Sequence, residues 1–391
     1  MESPLEQQPD HVLTPPYRSF VEISLPQLAS NYHSIAGTLR PGATMMPVVK
    51  ANAYGHGVLP VARTLIACGA KWLAVSNTDE GVELRQSGVA TSVRIVVMAG
   101  ILPYEWEAIV ANALTPVLHT LQDAEILDAI AASKGDTIPF HFKIDTGLAR
   151  LGSTDSLETI AARLSKLRYA KVEGLMTHFA SASDLHSNQA EEQVERFCAA
   201  FRTLRSYGLA LPWLHMDSTN SLNYPRHDET FQLVRPGLSL YGYTTPALAS
   251  SPKAGNLDVK PVLSWKARIL HLKDLPAGTA VGYGGLHTTT RPTRSAVLGL
   301  GYADGYPHQL SSIGHVLING RIAPILGSVS MDLTSVDVTD VPGLTVGDAV
   351  TLIGNSGDLS IDASDLARMA RTIPYAILTN IHTRVKRVYP A

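Results

Sequence analysis

Short apolar runs alternate with longer amphipathic stretches from about Phe20 to Gly242. This alternation is typical of parallel strands linked by crossover helices. The stretch NQAEEQVERFCAAFRTLRSYG shows helical spacing and ends at a glycine suited to a helix C-cap. The runs predicted as strands are MMPVVK (45–50), WLAVS (72–76), RIVVM (94–98), TPVLH (115–119), FHFKID (140–145), VEGLMTH (172–178), WLHMDS (213–218) and FQLVRPG (231–237).

Eight strand-and-helix units in about 220 residues predict an α/β fold with an N-terminal (β/α)8 TIM-type barrel. An open doubly wound sheet is the alternative. Because barrels carry their chemistry at the carboxyl ends of the strands, polar residues that finish these runs are the candidate site residues. They are Lys50, Lys143, Asp145, His178 and Arg235, with Arg150 just beyond.

The pattern changes after Tyr243, where the small-residue linker TTPALASSPKAGN precedes short β-like runs such as SAVLGLGYA and HVLINGRIAPILG. Helical spacing is nearly absent until IDASDLARMAR, so a mainly β C-terminal domain is predicted. The first residues are polar and proline-rich. We therefore predict a disordered extension over 1–16, the barrel over 17–250 and the β domain over 251–391.

Composition narrows the class of partner. The chain has 391 residues and a formal net charge of −2, so it offers no strong field for nucleic acid or an anionic membrane and favours a small molecule. Cys68 and Cys198 are far apart in sequence, which supports neither a disulfide framework nor a metal site. No apolar run near the start resembles a signal peptide, so a cytoplasmic enzyme is expected.

The segment PVVKANAYGHG, residues 47–57, carries the strongest chemical signal. Burial at a strand end lowers the pKa of a lysine, and a neutral amine can form a Schiff base. The alternative is a lysine that extends along the surface to solvent. Gly55 and Gly57 permit close approach of the backbone, and Tyr54 supplies a hydroxyl that could reach a phosphate.

KANAYGHG resembles the cofactor-lysine motif of bacterial alanine racemases, and the resemblance continues along nearly the whole chain. It implies an isomerase that interconverts L- and D-alanine on pyridoxal 5'-phosphate, a homodimer with shared active sites and a role in supplying D-alanine for peptidoglycan. Seven further segments stand in the family's order: KIDTGLARLG (143–152), GLMTHFASA (174–182), VRPGLSLYG (234–242), VGYGGLH (281–287), GYADGYP (301–307), SMD (330–332) and TIPYAIL (372–378).

The resemblance implies two bases. Lys50 would carry the cofactor and serve one face of the substrate Cα, while Tyr283 of the other subunit would serve the opposite face. A tyrosine has an ordinary pKa of about 10, so a phenolate base needs nearby donors or positive charge, which His178 and Arg235 are expected to supply. For His178 alone, a hydrogen-bonded core histidine is the alternative. Arg235 would face the pyridine nitrogen and keep it unprotonated.

The same resemblance assigns the remaining contacts. Arg150 and the backbone of Met331 would handle the substrate, and Tyr302 and Asp332 would line the access channel. Lys143 would be carbamylated, or would instead form an ion pair with Asp145. The phosphate would be bound by Tyr54, Tyr375, the N–H groups of Gly237 and Leu238, and one or more of Ser218, Thr219 and Asn220.

Three positions depart from the family pattern: Ser330 replaces a common cysteine, and Ser328 and His308 replace frequent arginines. These changes bear on substrate access, so a broader alanine and serine racemase is one alternative. A non-catalytic pyridoxal-phosphate-binding protein is another, although such proteins generally lack a large β domain. A barrel decarboxylase is a third.

Overall fold

The computed structural model describes residues 16–227, 231–250 and 253–390. The chain divides into two compact units. One is Ser24–Val262, and the other combines the described residues up to Ile23 with the chain from Leu263 onwards. Residues 1–15 of the predicted disordered extension lie outside the described residues.

Strands and helices alternate through the first unit. The described strands of the chain are β1 (Ser19–Ile23), β2 (Thr44–Met45), β3 (Trp72–Val75), β4 (Arg94–Val97), β5 (Thr115–Leu118), β6 (Ile138–Lys143), β7 (Ala170–Met176), β8 (Trp213–His215), β9 (Leu233–Val234), β10 (Leu263–Leu275), β11 (Ala280–Val281), β12 (His287–Thr288), β13 (Thr293–Leu298), β14 (His315–Ile318), β15 (Arg321–Pro324), β16 (Thr334–Asp337), β17 (Ala349–Ser356), β18 (Leu359–Ile361) and β19 (Lys386–Val388). The helices are α1 (Leu25–Gly37), α2 (Lys50–Tyr54), α3 (Val58–Ala67), α4 (Thr78–Gln86), α5 (Trp106–Ala111), α6 (Leu121–Lys134), α7 (Leu157–Leu164), α8 (Gln189–Ser206), α9 (Thr219–Asn223), α10 (Ala363–Met369) and α11 (Pro374–Thr379). Short 3-10 turns occupy Pro103–Glu105, Leu238–Tyr241, Tyr283–Gly285, Tyr302–Asp304 and His308–Leu310.

Within the described residues, β2 to β9 form a closed parallel barrel. Strands β3 to β8 pair in chain order, and β2 pairs in parallel with β9. Single parallel bridges join the remaining neighbours, from Val48 to Ala74 and from Ser218 to Arg235. The predicted barrel is therefore confirmed, and the open-sheet alternative is wrong because the first and last strands of the unit are neighbours.

The barrel helices begin at the side-chain caps that the sequence provides. Asn77, Thr120 and Ser156 accept the N–H three residues on, at the starts of α4, α6 and α7. Helix α8 ends at Ser206, and Gly208 follows in the left-handed region with φ 84°, as its position in the pattern predicted.

Period-two alternation divides each barrel strand between two environments. On β6, Phe140 and Phe142 belong to the apolar layer between strands and helices, which also contains Phe197 of α8. His141 lies between them and contacts His215 of β8. On β6 the apolar side chains thus face the helices, and the polar side chain of His141 faces the interior.

The second unit is mainly β, as predicted, and is built around a nine-stranded sheet. The long strand β10 pairs antiparallel with β1, β13 and β17. Trp265 of β10 is fully buried and donates its indole N–H to Ser19 Oγ at 2.9 Å. No helix in the described ranges is long and apolar enough to cross a membrane.

The unit boundaries differ from those predicted for the barrel at 17 and 250. Residues 19–23 form β1, which pairs with β10 and β19 of the second unit. The apolar pattern of a short run predicts a buried strand but carries no information about its sheet. At the other end, residues up to Val262 stay with the barrel, where Asn223 Oδ1 accepts the N–H of Leu257 at 3.0 Å.

We expect Asn31→Leu to lower the free energy of unfolding by about 2–4 kcal/mol. The Asn31 amide is 1% exposed, donates to Leu240 O and Lys260 O, and accepts the N–H of Lys260. A leucine would leave these buried backbone groups unpaired. Chemical denaturation measures the change, with the exposed Asn355→Leu as control, and equal midpoints for the two variants would contradict it.

Candidate active site

Four of the predicted site residues lie where barrel strands end. Lys143 is the last residue of β6, and Lys50, His178 and Arg235 follow β2, β7 and β9 within a few residues. Arg235 contacts His178 directly, and both lysines are close enough to His178 to lower its pKa. The carboxyl face of the barrel therefore brings these side chains together, as the strand order predicted.

The backbone after Lys50 is left-handed. Ala51, Asn52, Ala53 and Tyr54 have φ between 52° and 54°, so α2 is a left-handed turn despite its regular hydrogen bonding. Alanine and tyrosine rarely adopt this region because Cβ approaches the following carbonyl, at a cost of about 1–2 kcal/mol per residue. Backbone strain of this kind is concentrated at functional sites.

A carboxylate and an amide stabilise the left-handed turn. Glu80 Oε1 accepts the N–H of Ala51 at 2.6 Å, and its Oε2 accepts the N–H of Ser76 at 2.7 Å. Asn52 Oδ1 accepts the N–H of Val58 at 2.7 Å and so joins the turn to the start of α3. Glu80 thereby joins the left-handed turn to the residue that follows β3.

Both lysines of the barrel mouth have lowered pKa values. Burial is the main cause for Lys50, and the charge of Arg150 adds to it while Glu80 opposes it. Burial, with the charges of Arg235 and Arg150, lowers the pKa of Lys143 to about 8. Each side chain therefore reaches its neutral, nucleophilic form at a lower pH than an exposed lysine.

Asp145 does not act as a hydrogen-bonded partner of Lys143. Its Oδ1 accepts the backbone N–H groups of Gly147, Leu148 and Ala149, at 2.9 to 3.2 Å. These bonds fold the loop that leads to Arg150 and lower the pKa of Asp145 against the effect of burial. The charges of Asp145 and Lys143 still interact, since Asp145 raises the pKa of Lys143 and Lys143 lowers that of Asp145, so the ion-pair alternative stays a prediction.

The guanidinium of Arg235 is buried, with 3% exposure. It donates to Thr177 O at 2.9 Å and Met216 O at 3.0 Å. It also lies 3.1 Å from Nδ1 of His178 and 3.1 Å from Nδ1 of His215. Burial lowers the pKa of Arg235 to about 10, against the charge of Asp217, so the side chain remains a cation at neutral pH.

The Arg235 guanidinium, which can only donate hydrogen bonds, determines the tautomer of His178. Because guanidinium nitrogens cannot accept, Nδ1 of His178 is the acceptor and its proton lies on Nε2. Burial and the charge of Arg235 lower the pKa of His178 to about 3, so the ring is neutral. Gln193 of α8 holds the loop, since it donates to His178 O at 3.0 Å and accepts the N–H of Ala180 at 2.9 Å.

The starts of two short helices lie side by side beyond β8 and β9. Ser218 caps α9 and is bridged to Arg235, while Gly237 begins the 3-10 turn Leu238–Tyr241. Thr219 Oγ1 joins them, accepting the N–H of Gly237 at 3.1 Å. Adjacent helix starts present N–H groups and positive partial charge to an anion. Of the predicted phosphate contacts, Ser218, Thr219, Asn220, Gly237, Leu238 and Tyr54 lie in this region.

Tyr54 is fixed beside Gly237 by aromatic packing. Its ring lies 4.8 Å from that of Tyr241, whose hydroxyl donates to Val48 O at 3.0 Å. A Cβ placed on Gly237 would come within 2.5 Å of Tyr54 Oη. Residue 237 must therefore be glycine if the Tyr54 phenol is to stay at the two helix starts.

The other predicted site residues belong to the second unit. Tyr302 and Met331 are joined through the backbone, where Tyr302 N–H donates to Ser330 O and Met331 O accepts the N–H of Ala303. Asp332 accepts from Arg384 at 2.7 Å. Their neighbours Ser328 and His308, both departures from the family pattern, approach to 3.2 Å.

Tyr283 and Tyr375 lie elsewhere in that unit. Tyr283 starts a 3-10 turn between Gly282 and Gly284, both with positive φ, and is 78% exposed. Tyr375 is on α11.

Sequence reasoning missed the polar barrel interior. His141, His215 and Glu173 were not predicted as site residues, although His141 is two positions before Lys143 and so shares its face of β6. That alternation was the available signal. Glu80 and Gln193 carried no signal, because their role depends on tertiary contacts.

Comparisons with known proteins agree along the chain. Residues 23–245 match the family description "Alanine racemase, N-terminal domain", and residues 262–389 match "Alanine racemase, C-terminal domain". The alanine racemase of Halothermothrix orenii is 39% identical over 373 residues, which cover 95% of this chain and 96% of that protein.

Solved structures give the same result. Alanine racemase from Streptomyces coelicolor has a TM-score of 0.88 at 32% identity, over 95% of this chain and 98% of that one. Alanine racemase from Bartonella henselae, described with covalently bound pyridoxal phosphate, has a TM-score of 0.84 at 29% identity, over 96% and 100%.

We expect stability to fall as the pH drops below about 6.5, the ordinary pKa of histidine. Burial and Lys143 lower the pKa of His119 to about 4, so the unfolded chain binds a proton there before the folded chain does. This group alone should lower the free energy of unfolding by about 2 kcal/mol between pH 7 and pH 5. Urea denaturation at both pH values measures the loss, which His119→Gln should reduce and the exposed His271→Gln should not. An unchanged pH slope in His119→Gln would contradict this assignment.

Proposed function

This chain belongs to the alanine racemase family, whose isomerases interconvert L- and D-alanine, and from that premise we propose a pyridoxal-phosphate enzyme with two catalytic bases. Lys50 is one base, and Tyr283 from a second copy of the chain is the other. The observation that carries the proposal is the position of Lys50, an amine with a lowered pKa on the same barrel face as two adjacent helix starts and a buried arginine.

The barrel mouth fits such a cofactor. Lys50 would bind its aldehyde carbon, and the helix starts at Ser218 and Gly237 with the Tyr54 hydroxyl would bind its phosphate. Asn220 Oδ1 is buried and has no partner among the described residues, and rotation of its amide would present an N–H donor there. When bound, pyridoxal phosphate supplies an electron-withdrawing ring that acidifies the Cα–H of an amino acid.

Two bases on opposite faces are sufficient for racemisation, because one takes the Cα proton and the other returns a proton from the far side. The lowered pKa of Lys50 favours the neutral amine that accepts a proton. The Nε2–H of His178 is available to donate to a phenolate, since Arg235 occupies its Nδ1. His178 would thereby support Tyr283 as the second base.

Arg235 would direct the outcome of proton transfer. A guanidinium only donates, so a ring nitrogen that faces Arg235 stays unprotonated and withdraws electrons less strongly. Return of the proton to Cα is then favoured over transamination.

The remaining predicted residues have supporting roles in this proposal. Arg150, Met331, Tyr302 and Asp332 would contact the substrate or line its access. The neutral form of Lys143, accessible at a pKa of about 8, would react with carbon dioxide to give the carbamate and release one proton to solvent.

We also propose a homodimer with shared active sites. Tyr283, Leu286 and Met331 are 78%, 61% and 54% exposed in the single chain, which suits a surface that meets a second copy. Family membership further leads us to propose a cytoplasmic role in supplying D-alanine for peptidoglycan.

Purified protein with pyridoxal phosphate should convert L-alanine to the racemate, as followed by circular dichroism. Tyr283→Phe should slow exchange of the α-proton with solvent deuterium from one enantiomer by about 10²-fold or more, and Lys50→Ala should impair the other enantiomer preferentially. Tyr104→Phe, at an equally exposed tyrosine, is the control. Retained handedness would refute racemisation, and equal impairment of both enantiomers would refute the two-base assignment.

Gly237→Ala should weaken binding of pyridoxal phosphate by about tenfold, because the added Cβ would displace the Tyr54 phenol from the helix starts. Titration of the cofactor into protein stripped of it measures the affinity. Gly37→Ala is the matched control, since a Cβ there meets nothing within 4 Å. Equal affinities in the two variants would contradict the proposed phosphate site.

A further inference from the structure

A line of polar side chains crosses the barrel interior below Arg235. His215 Nδ1 lies 3.1 Å from Arg235 Nη1, and His215 Nε2 lies 2.9 Å from His141 Nδ1. His141 Nε2 lies 3.5 Å from Glu173 Oε1, and Glu173 pairs with Arg94 at the start of β4. Arg235, His215 and His141 are 3% exposed or less. Barrels of this type usually fill the same space with branched apolar residues, so the polar line departs from the expected interior.

The chemistry of the end groups gives this line a direction. Arg235 can only donate, so His215 Nδ1 is an acceptor and the proton of the neutral ring lies on Nε2. That proton is donated to His141 Nδ1, and the proton of His141 must then lie on Nε2. The Glu173 carboxylate lies beside His141 Nε2, in an electrostatic contact that is longer than the hydrogen bonds of the rest of the line. Every donor of the two rings thus points towards Glu173, and the lone pair at the other end faces Arg235.

Both imidazoles are neutral in this arrangement. Burial lowers the pKa of His141 against the charge of Glu173, and burial with the nearby positive groups lowers the pKa of His215 well below its ordinary value. Two neutral rings in series polarise one another and extend the negative charge of the carboxylate towards the guanidinium.

The backbone leaves room for the first ring of this line. A Cβ on Gly174 would lie 2.4 Å from Cγ of His141, so only glycine on β7 lets the ring occupy the interior. The Trp72 ring lies 5.8 Å from the His141 ring and 5.1 Å from the Trp213 ring, measured between ring centres. The Arg94 guanidinium lies over the Trp72 ring, 4.7 Å from its centre. Glycine and aromatic packing therefore hold the ring in one place.

We propose that His215, His141 and Glu173 are positioning residues that fix the rotation of Arg235 and thereby determine how it meets the ring nitrogen of the cofactor. The catalytic part of this inference rests on the proposed function. A half-buried carboxylate and two buried imidazoles contribute less to stability than apolar side chains of similar volume, so stability alone does not account for them. Their geometry serves Arg235, an interior cation whose guanidinium also contacts His178 at the barrel mouth.

The first experiment observes the protons directly. Protein labelled with 15N-histidine, loaded with pyridoxal phosphate, should show His141 and His215 as neutral rings with the proton on Nε2. His215→Asn and His141→Gln assign the signals. In Glu173→Leu both rings should keep this tautomer, because Arg235 fixes it from the other end, but the Nε2 signal of His141 should shift because its proton no longer faces a carboxylate. Glu173→Gln should shift that signal less, because an amide oxygen still faces the proton. A cationic ring, or an Nδ1 proton on His215, overturns the proposal whether or not the protein racemises alanine.

The second experiment measures the consequence at the cofactor. Glu173→Leu and His215→Leu should lower kcat about tenfold, change KM less, and raise the number of transaminations per racemisation about tenfold, the size expected for a group that supports a catalytic one. They should also shift the absorbance band of the bound cofactor. His215→Asn should recover part of the loss, because its side-chain oxygen can still accept from Arg235.

Matched controls separate this effect from damage to the fold. Glu125→Gln removes one carboxylate from an exposed pair with Arg163 and should leave the absorbance band, kcat and reaction partition unchanged. Wild-type partition and absorbance in both leucine variants would overturn the positioning role. Absence of racemisation by the wild-type protein would refute the proposed function instead, and the tautomers would still test the line of hydrogen bonds.

Discussion

The burial of the Arg235 guanidinium determines which groups can surround it at the carboxyl ends of the barrel strands. Arg235 cannot accept a hydrogen bond and remains protonated at neutral pH, so everything around it must be an acceptor. Its donors go to the carbonyls of Thr177 and Met216, which follow β7 and β8, and to two histidines. A cation left without these acceptors would be costly to bury. The ends of three neighbouring strands are therefore fixed by one side chain.

A second constraint acts after β2, the strand that pairs with β9 and so closes the barrel. The left-handed turn after Lys50 is unfavourable for its alanines and its tyrosine, and external contacts keep it in place. Glu80 is the main one, because its two oxygens hold Ala51 and Ser76 at once. The turn begins at Lys50, shortly after β2, so the amine is held at the mouth by backbone geometry. The strained turn fixes Lys50 and burial fixes Arg235, so both side chains are in position before any ligand binds.

The barrel could be predicted from the sequence because a buried parallel strand appears as an apolar run between amphipathic stretches. The strand-end residues could be predicted too, because a residue at the end of an apolar run lies at the carboxyl face of the barrel. These residues are Lys50, Lys143, His178 and Arg235. The pairing of β1 with β10 could not be predicted, because a short apolar run is compatible with any sheet. The left-handed turn was also hidden, since the preferences of ANAY oppose it and only contacts such as Glu80 impose it.

The polar interior raises the question of what stabilises the barrel. Around β6 the stabilising apolar burial lies in the layer between strands and helices, where Phe140, Phe142 and Phe197 are fully buried. On β6 these phenylalanines flank His141, so a single strand presents an apolar outer face and a polar inner face. The inner face of β6 can therefore hold side chains whose main contribution is charge and hydrogen bonding. Substitutions on the outer face should therefore act mainly on stability, while those on the inner face should act mainly on Arg235 and the groups it contacts.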